Sequence, residues 1–132
     1  MRVYFEDTDL TGVVYHANYL RFMARGRTEM LRCLGIVQTE VMAAGTGYYA
    51  VHRVDLTYHR PARLDDELEV VSRVVEVRAA TTKLEQNVWR GPELLCSGIV
   101  TAAFLDMGGR PRRQSKLWGS RFTALMQEAQ TA

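Results

Sequence analysis

The sequence predicts an α+β fold in which an antiparallel β-sheet wraps around one long central α-helix. Three observations carry this. Residues 16–34 hold an apolar stripe at helical spacing, and residues 48–105 break into four strand-like segments joined by short turns. Only one substantial helix is available to cover the sheet that those segments would form.

Each element follows in chain order. Residues 2–5 (Arg-Val-Tyr-Phe) read as a short strand, stopped by an acidic turn at Glu6, Asp7, Thr8 and Asp9. From His16 to Leu34 the pattern turns helical. Tyr19, Phe22, Met23, Gly26, Met30, Cys33 and Leu34 recur at three- and four-residue steps, while Arg21, Arg25, Arg27, Glu29 and Arg32 fill the other positions. Gly35 stands where a C-cap glycine belongs. Gly26, in mid-helix, costs about 1 kcal/mol against alanine; it implies either close approach of the sheet or simple tolerance of a poor helix former.

After a loop with Gly45 and Gly47, residues 48–59 form a strand with Tyr48, Ala50, His52, Val54, Leu56 and Tyr58 on one face. Pro61 breaks it, since proline cannot donate to a ladder. Residues 67–79 and 83–90 follow as strands about a turn near Ala80–Thr82, and Gly91-Pro92 marks the next turn. Residues 94–105 form a nearly continuous apolar strand, ended by Gly108, Gly109 and Pro111. Trp118 to Ala129 reads as a modest amphipathic helix.

The 132 residues make one domain, 1–132, with its least regular part from about residue 108. Hydrophobic residues at 47% and charged residues at 24% are ordinary for a globular chain. A net charge of +2 is too weak to argue for nucleic acid, although it would not repel an acidic substrate. Charges interrupt the opening residues at once, so neither a signal peptide nor membrane insertion is expected, and a cytoplasmic location is. Cys33 and Cys96 both sit in apolar stretches and read as buried thiols in a reducing compartment.

The chemistry concentrates between Glu6 and His16. A helix start presents unpaired N–H groups and partial positive charge, able to hold the oxygen of a polarised carbonyl. A carboxylate nearby, Asp9, can then attack the carbonyl carbon or activate water, and Gly12 lets the backbone turn closely. Asp and Thr ahead of a helix are also the commonest caps and turn formers, so spacing alone leaves both readings open. Asp7, Asp9 and His16 lack a repeated metal-binding pattern, so no metal is expected. His52 and His59, seven apart on one strand, should face opposite ways and read as packed or hydrogen-bonded side chains.

The stretch "VYFEDTDLTGVVYHANYLRFMARGRTEMLR" strongly resembles the opening of hotdog-fold acyl-CoA thioesterases. The resemblance is nearest to the Tol–Pal-associated group, with the 4-hydroxybenzoyl-CoA thioesterases more distant. "YHRPARLDDELEV" resembles the family's strand–proline–strand corner, and the likeness runs at least to Phe104. Asp7, Asp9, Gly12, Val13, Val14, Tyr15, His16 and Tyr19 carry the motif.

The resemblance implies a hotdog fold and hydrolysis of acyl-CoA to a free acid and CoA, with no cofactor beyond the CoA of the substrate. Asp9 would be the catalytic nucleophile or general base. His16 would open the central helix and polarise the carbonyl through its N–H. Gly12, Val14 and Tyr15 would line the substrate, while Arg78 and Thr81 would meet the nucleotide end of CoA. Arg78 as a solvated strand-end charge is an equal reading. A tyrosine often stands where this chain has Phe5, so that hydroxyl is missing; Tyr4, its neighbour on a strand, would face the other way.

A homodimer or homotetramer is implied, with sites at the subunit interface. Three alternatives remain: a hydratase on the same fold, a thioesterase for acyl carrier protein using Arg60, Arg63 and Arg110–Arg113, and a non-catalytic module binding acyl-CoA or an envelope complex.

Overall fold

The computed structural model describes residues 1–131; Ala132, the end of the expected domain, lies outside them. After a 3₁₀ turn at Phe5–Asp7 come α1 (Asn18–Cys33), α2 (Gln38–Ala43), β1 (Tyr48–Tyr58), β2 (Glu69–Val77), β3 (Thr81–Arg90), β4 (Glu93–Leu105) and α3 (Lys116–Thr131). The strands form one antiparallel sheet in the order β1-β4-β3-β2. Among the described residues no helix is long and apolar enough to cross a membrane.

α1 lies on the sheet, as its stripe predicts. Tyr19, Phe22 and Met23 are buried with Val88, Leu95 and Cys96, and Leu31 with Val74 and Leu84. Gly26 resolves in favour of close approach: a Cβ there would stand 2.9 Å from Val70 Cγ1. The helix ends as a Schellman motif. Gly35 has φ +77°, its N–H donates to the Arg32 carbonyl, and Ile36 N–H reaches back to Leu31.

Several expectations need correction. Residues 2–5 are not a strand: Arg2 makes only an isolated bridge with Glu67, and Phe5 to Asp7 coil because the buried Asp7 carboxylate accepts the Tyr4 N–H at 2.9 Å. The strand alternation used to separate Tyr4 from Phe5 therefore does not apply. α1 starts at Asn18, two residues after His16. α2 was not expected; it is short and begins without a side-chain cap.

The face assigned to β1 is also wrong for part of the strand. A bulge between Val51 and Arg53 leaves His52 without a ladder partner and switches the side-chain faces. Tyr49 packs into the core before it, and Leu56 after it. Consecutive strands do not all pair. β1 joins β4, and the 59–68 connection carries the chain to the far edge of the sheet.

Nor is α1 alone over the sheet, for α3 packs beside it and buries Phe122 against Leu31, Ile36 and Leu84. Cys96 is buried, but Cys33 is exposed because the stripe leaves α1 through Leu31. Burial pushes the Cys96 thiol up to about 11.

Candidate functional site

The loop between the 3₁₀ turn and α1 is a small hairpin. Thr8 bridges Val14, Asp9 N–H donates to Val13 O, and Gly12, at φ +79°, donates back to Asp9 O. The strand–proline corner pins it from one side: Val13 bridges Arg63, and Val14 N–H donates to Ala62 O. The Ala62 N–H in turn donates to the Tyr19 hydroxyl at 3.2 Å. Arg90 holds that corner by a 2.7 Å contact to Asp66, whose carboxylate also accepts Arg63 N–H. Partial burial pushes the Asp66 carboxyl up, but these donors hold it below its usual range.

Asp9 sits exposed at the tip of this hairpin. One carboxylate oxygen accepts both the Thr11 hydroxyl and, at 2.8 Å, the Thr11 N–H. These two bonds, Thr11 hydroxyl first, hold the Asp9 carboxyl below its ordinary value; the His16 ring adds a smaller pull in the same direction. Asp9 is therefore a carboxylate at any pH near neutrality, with its second oxygen free of protein donors among the described residues. Asp7 is different. It is buried and structural, and its carbonyl accepts Tyr15 N–H and the Asn18 side-chain amide.

The turn just ahead of α1 is open, although Asn18 N–H donates to Tyr15 O at 2.8 Å. The N-cap is Ala17, which has no capping side chain, and the N–H groups of His16 and Ala17 have no acceptor among the described residues. Asp9 is not the cap. The Tyr58 hydroxyl donates to His16 O at 2.9 Å, and the His16 ring stands 4.6 Å from Tyr15 and 6.2 Å from Tyr58. An open groove runs alongside, lined by Val14, His16, Tyr19, Tyr58, His59 and Arg60. His59 Nε2 is 2.8 Å from Ser97 Oγ, so it has a hydrogen-bond partner on the neighbouring strand. Phe5, Leu10, Tyr15 and Tyr58 leave apolar surface exposed around this end.

The structure gathers Asp9, Gly12, Val14, Tyr15 and His16 at one end of the molecule, although the Val14 and Tyr15 N–H groups are already engaged. Arg78 and Thr81 lie elsewhere, at the β2–β3 turn, where Arg78 N–H donates to Thr81 O. Thr81 pairs with Ala103, whereas Tyr58 pairs with Cys96; the seven intervening steps along β4 span roughly 23 Å. One chain does not bring the two groups together. Arg78 is also held by Glu76 at 2.9 Å, and Arg60 by Glu93 at 3.2 Å, which offsets part of the basic patch.

Thr11 and Tyr58 were not singled out as site residues from the sequence. Thr11, two residues after an Asp in a turn, was the one available signal. Among the described residues no group of three metal-binding side chains is assembled.

Comparison with known proteins shows the family. Residues 11–97 match the family described as the thioesterase superfamily. The chain is 42% identical over 108 residues to an acyl-CoA thioesterase, YbgC, of Haemophilus influenzae, covering 82% of this chain and 79% of that one. Among solved structures, a probable thioesterase of Bartonella henselae aligns with TM-score 0.83 and 36% identity, over 87% of this chain and 95% of the other. A Thermus thermophilus thioesterase complexed with coenzyme A and zinc aligns with TM-score 0.80 and 27% identity, over 96% and 93%.

Proposed function

Because the chain belongs to the thioesterase superfamily, and is as such a thioester hydrolase, we propose that it cleaves acyl-CoA to a carboxylic acid and CoA with Asp9 as the catalytic carboxylate. The observation that carries this is an ionised, exposed carboxylate with one free oxygen, close enough to feel the His16 ring, in a loop that leads to the turn ahead of α1 where the His16 and Ala17 N–H groups are unclaimed. The thioester carbonyl oxygen would accept the His16 and Ala17 N–H groups, which stabilise the charge that develops on it. Asp9 would attack the carbonyl carbon as nucleophile or take a proton from the attacking water as general base. Either route adds one water across the C–S bond and releases the CoA thiolate. The His16 ring would orient water or the leaving group.

The long separation of Arg78 and Thr81 from Asp9 supports a site shared between subunits. β1 is an exposed edge strand, and antiparallel pairing of two copies along it exchanges the ends of the sheet. The nucleotide end of CoA would then meet residues of a second copy. In this reading the assembly is a homodimer or a tetramer built from it. Of the basic residues that a carrier-protein substrate would use, Arg60 is already paired with Glu93.

Thiol release from a panel of short, long and aromatic acyl-CoAs tests the reading; turnover by the wild type is expected, and none from any of them would overturn it. Thr11→Val removes the largest cause of the lowered Asp9 pKa. A group with a depressed pKa keeps its charged form down to low pH, so the variant should lose activity at a higher pH than wild type. The acidic limb of kcat/KM therefore moves upward, while activity well above the carboxylate range is less affected.

A further inference from the structure

A second cavity, of about 200 Å³, lies away from the Asp9 end, between the C-terminal half of α1 and the first half of β1. Arg27, Thr28, Gln38, Ala50, Val51 and Phe122 are among the residues around it. Arg27, assigned by periodicity to the positions outside the apolar stripe, in fact turns toward the sheet. Its Nη1 donates at 2.9 Å to Oε1 of Gln86, a fully buried side chain. Gln86 Nε2 is itself fixed by Met23 O and Ser72 Oγ, both at 2.9 Å, so the amide oxygen is held toward the guanidinium.

That neutral oxygen is the one partner Arg27 has among the described residues. Arg2, Arg60, Arg73, Arg78 and Arg90 each pair with a carboxylate. Arg27, half-buried, has none. Burial lowers its pKa, yet a guanidinium stays protonated, so a partly desolvated charge with unused donors faces the cavity. Such a charge calls for an anion.

We propose that this cavity binds a carboxylate-bearing chain, with Arg27 as its counter-ion. The inference rests on the acyl-CoA reading and deepens it: the carboxylate is either the far end of an acyl group that carries one or a free carboxylic acid of the kind the reaction releases. The size fits a short chain. One water needs roughly 10–15 Å³ on the same measure, so about 200 Å³ leaves ample room for a short chain. The position fits too. Ala50 and Val51 lie on the edge strand β1, so antiparallel pairing of two copies would set the cavity mouth beside the Asp9 end of the partner subunit.

The test compares glutaryl-CoA with pentanoyl-CoA, and adipyl-CoA with hexanoyl-CoA, in wild type, Arg27→Lys and Arg27→Met. Arg27→Met should lower kcat/KM for the carboxylate-ended substrates by about tenfold or more relative to their neutral partners, with Arg27→Lys intermediate. In parallel, wild-type melting temperature is followed with glutarate and pentanoate against chloride at equal ionic strength. A rise with the free acids, absent in Arg27→Met, without any substrate preference would assign the site to the released acid. If neither Arg27→Met nor Arg27→Lys folds, the wild-type preference and melting shift decide alone. The proposal is overturned if wild type neither distinguishes the substrate pairs nor gains stability from either acid. It is overturned equally if Arg27→Met only dissociates the oligomer, which would mean that a second copy supplies the counter-ion. Should wild type hydrolyse no acyl-CoA at all, the thioesterase reading fails, while the melting shifts still test the cavity.

Discussion

Asp9→Asn is expected to lower kcat/KM for acyl-CoA hydrolysis by on the order of 100-fold or more, mainly through kcat, with an unchanged melting temperature. A hundredfold corresponds to about 2.7 kcal/mol of lost transition-state stabilisation. Asparagine is the informative replacement because it separates the two roles that this residue can play. Its side-chain oxygen can still accept the Thr11 N–H and hydroxyl, so the turn survives, and Asn forms such turns as readily as Asp. What it cannot do is attack a carbonyl or accept a proton from water. Asp9 is exposed, so stability should stay within about 0.5 kcal/mol of wild type. If the folded variant turns over at the wild-type rate, Asp9 is a turn former only and the chemistry lies elsewhere.

What could be read from the chain beforehand follows from how local each signal is. α1 was legible because Tyr19, Phe22, Met23 and Gly26 repeat at its own period, and its end because a glycine in the left-handed region stops a helix. The bulge in β1 was not legible: nothing in "AVHRV" announces that His52 drops out of the ladder, and one unpaired residue reverses every face assignment on one side of it. Arg27 was misplaced for a related reason. A charge is assigned outward by default, and only the buried Gln86, distant in sequence, makes an inward position tolerable. Cys33 erred in the opposite direction, since an apolar neighbourhood in sequence is no guarantee of cover.

The Asp9 loop shows the same division. Its motif marks out the segment, but the open turn ahead of α1 depends on Ala17 having no capping side chain, and the loop is pinned by Ala62, reached across the fold. The separation of Arg78 and Thr81 from Asp9 is a property of strand register, which no motif carries.

Gly47→Ala is expected to be the most damaging conservative change in the chain, costing about 3–5 kcal/mol and lowering the melting temperature on the order of 10–20 °C. Gly47 has φ +146°, a conformation that side-chain-bearing residues rarely adopt, immediately before β1 pairs with the end of β4. A Cβ built there would stand 2.1 Å from the Leu105 carbonyl oxygen, 3.2 Å from its carbon and 2.9 Å from Phe104 Cζ. The obstacle is backbone, so no rotamer change relieves it; the Tyr48–Leu105 pairing has to open or the strand has to shift. Phe104 is buried, tilted against Tyr49 and edge-on to Trp118, so a shift would reach the contact that seats α3. Gly119→Ala is the control, because it makes the same chemical change inside α3 with nothing within 4 Å of the new methyl. There the helix gains a better former and the unfolded chain loses freedom, so stability should rise by roughly 0.5–1 kcal/mol. Thermal melts of the two variants beside wild type should therefore move in opposite directions. A Gly47→Ala protein melting within a degree or two of wild type would mean that the start of β1 yields far more easily than these contacts allow.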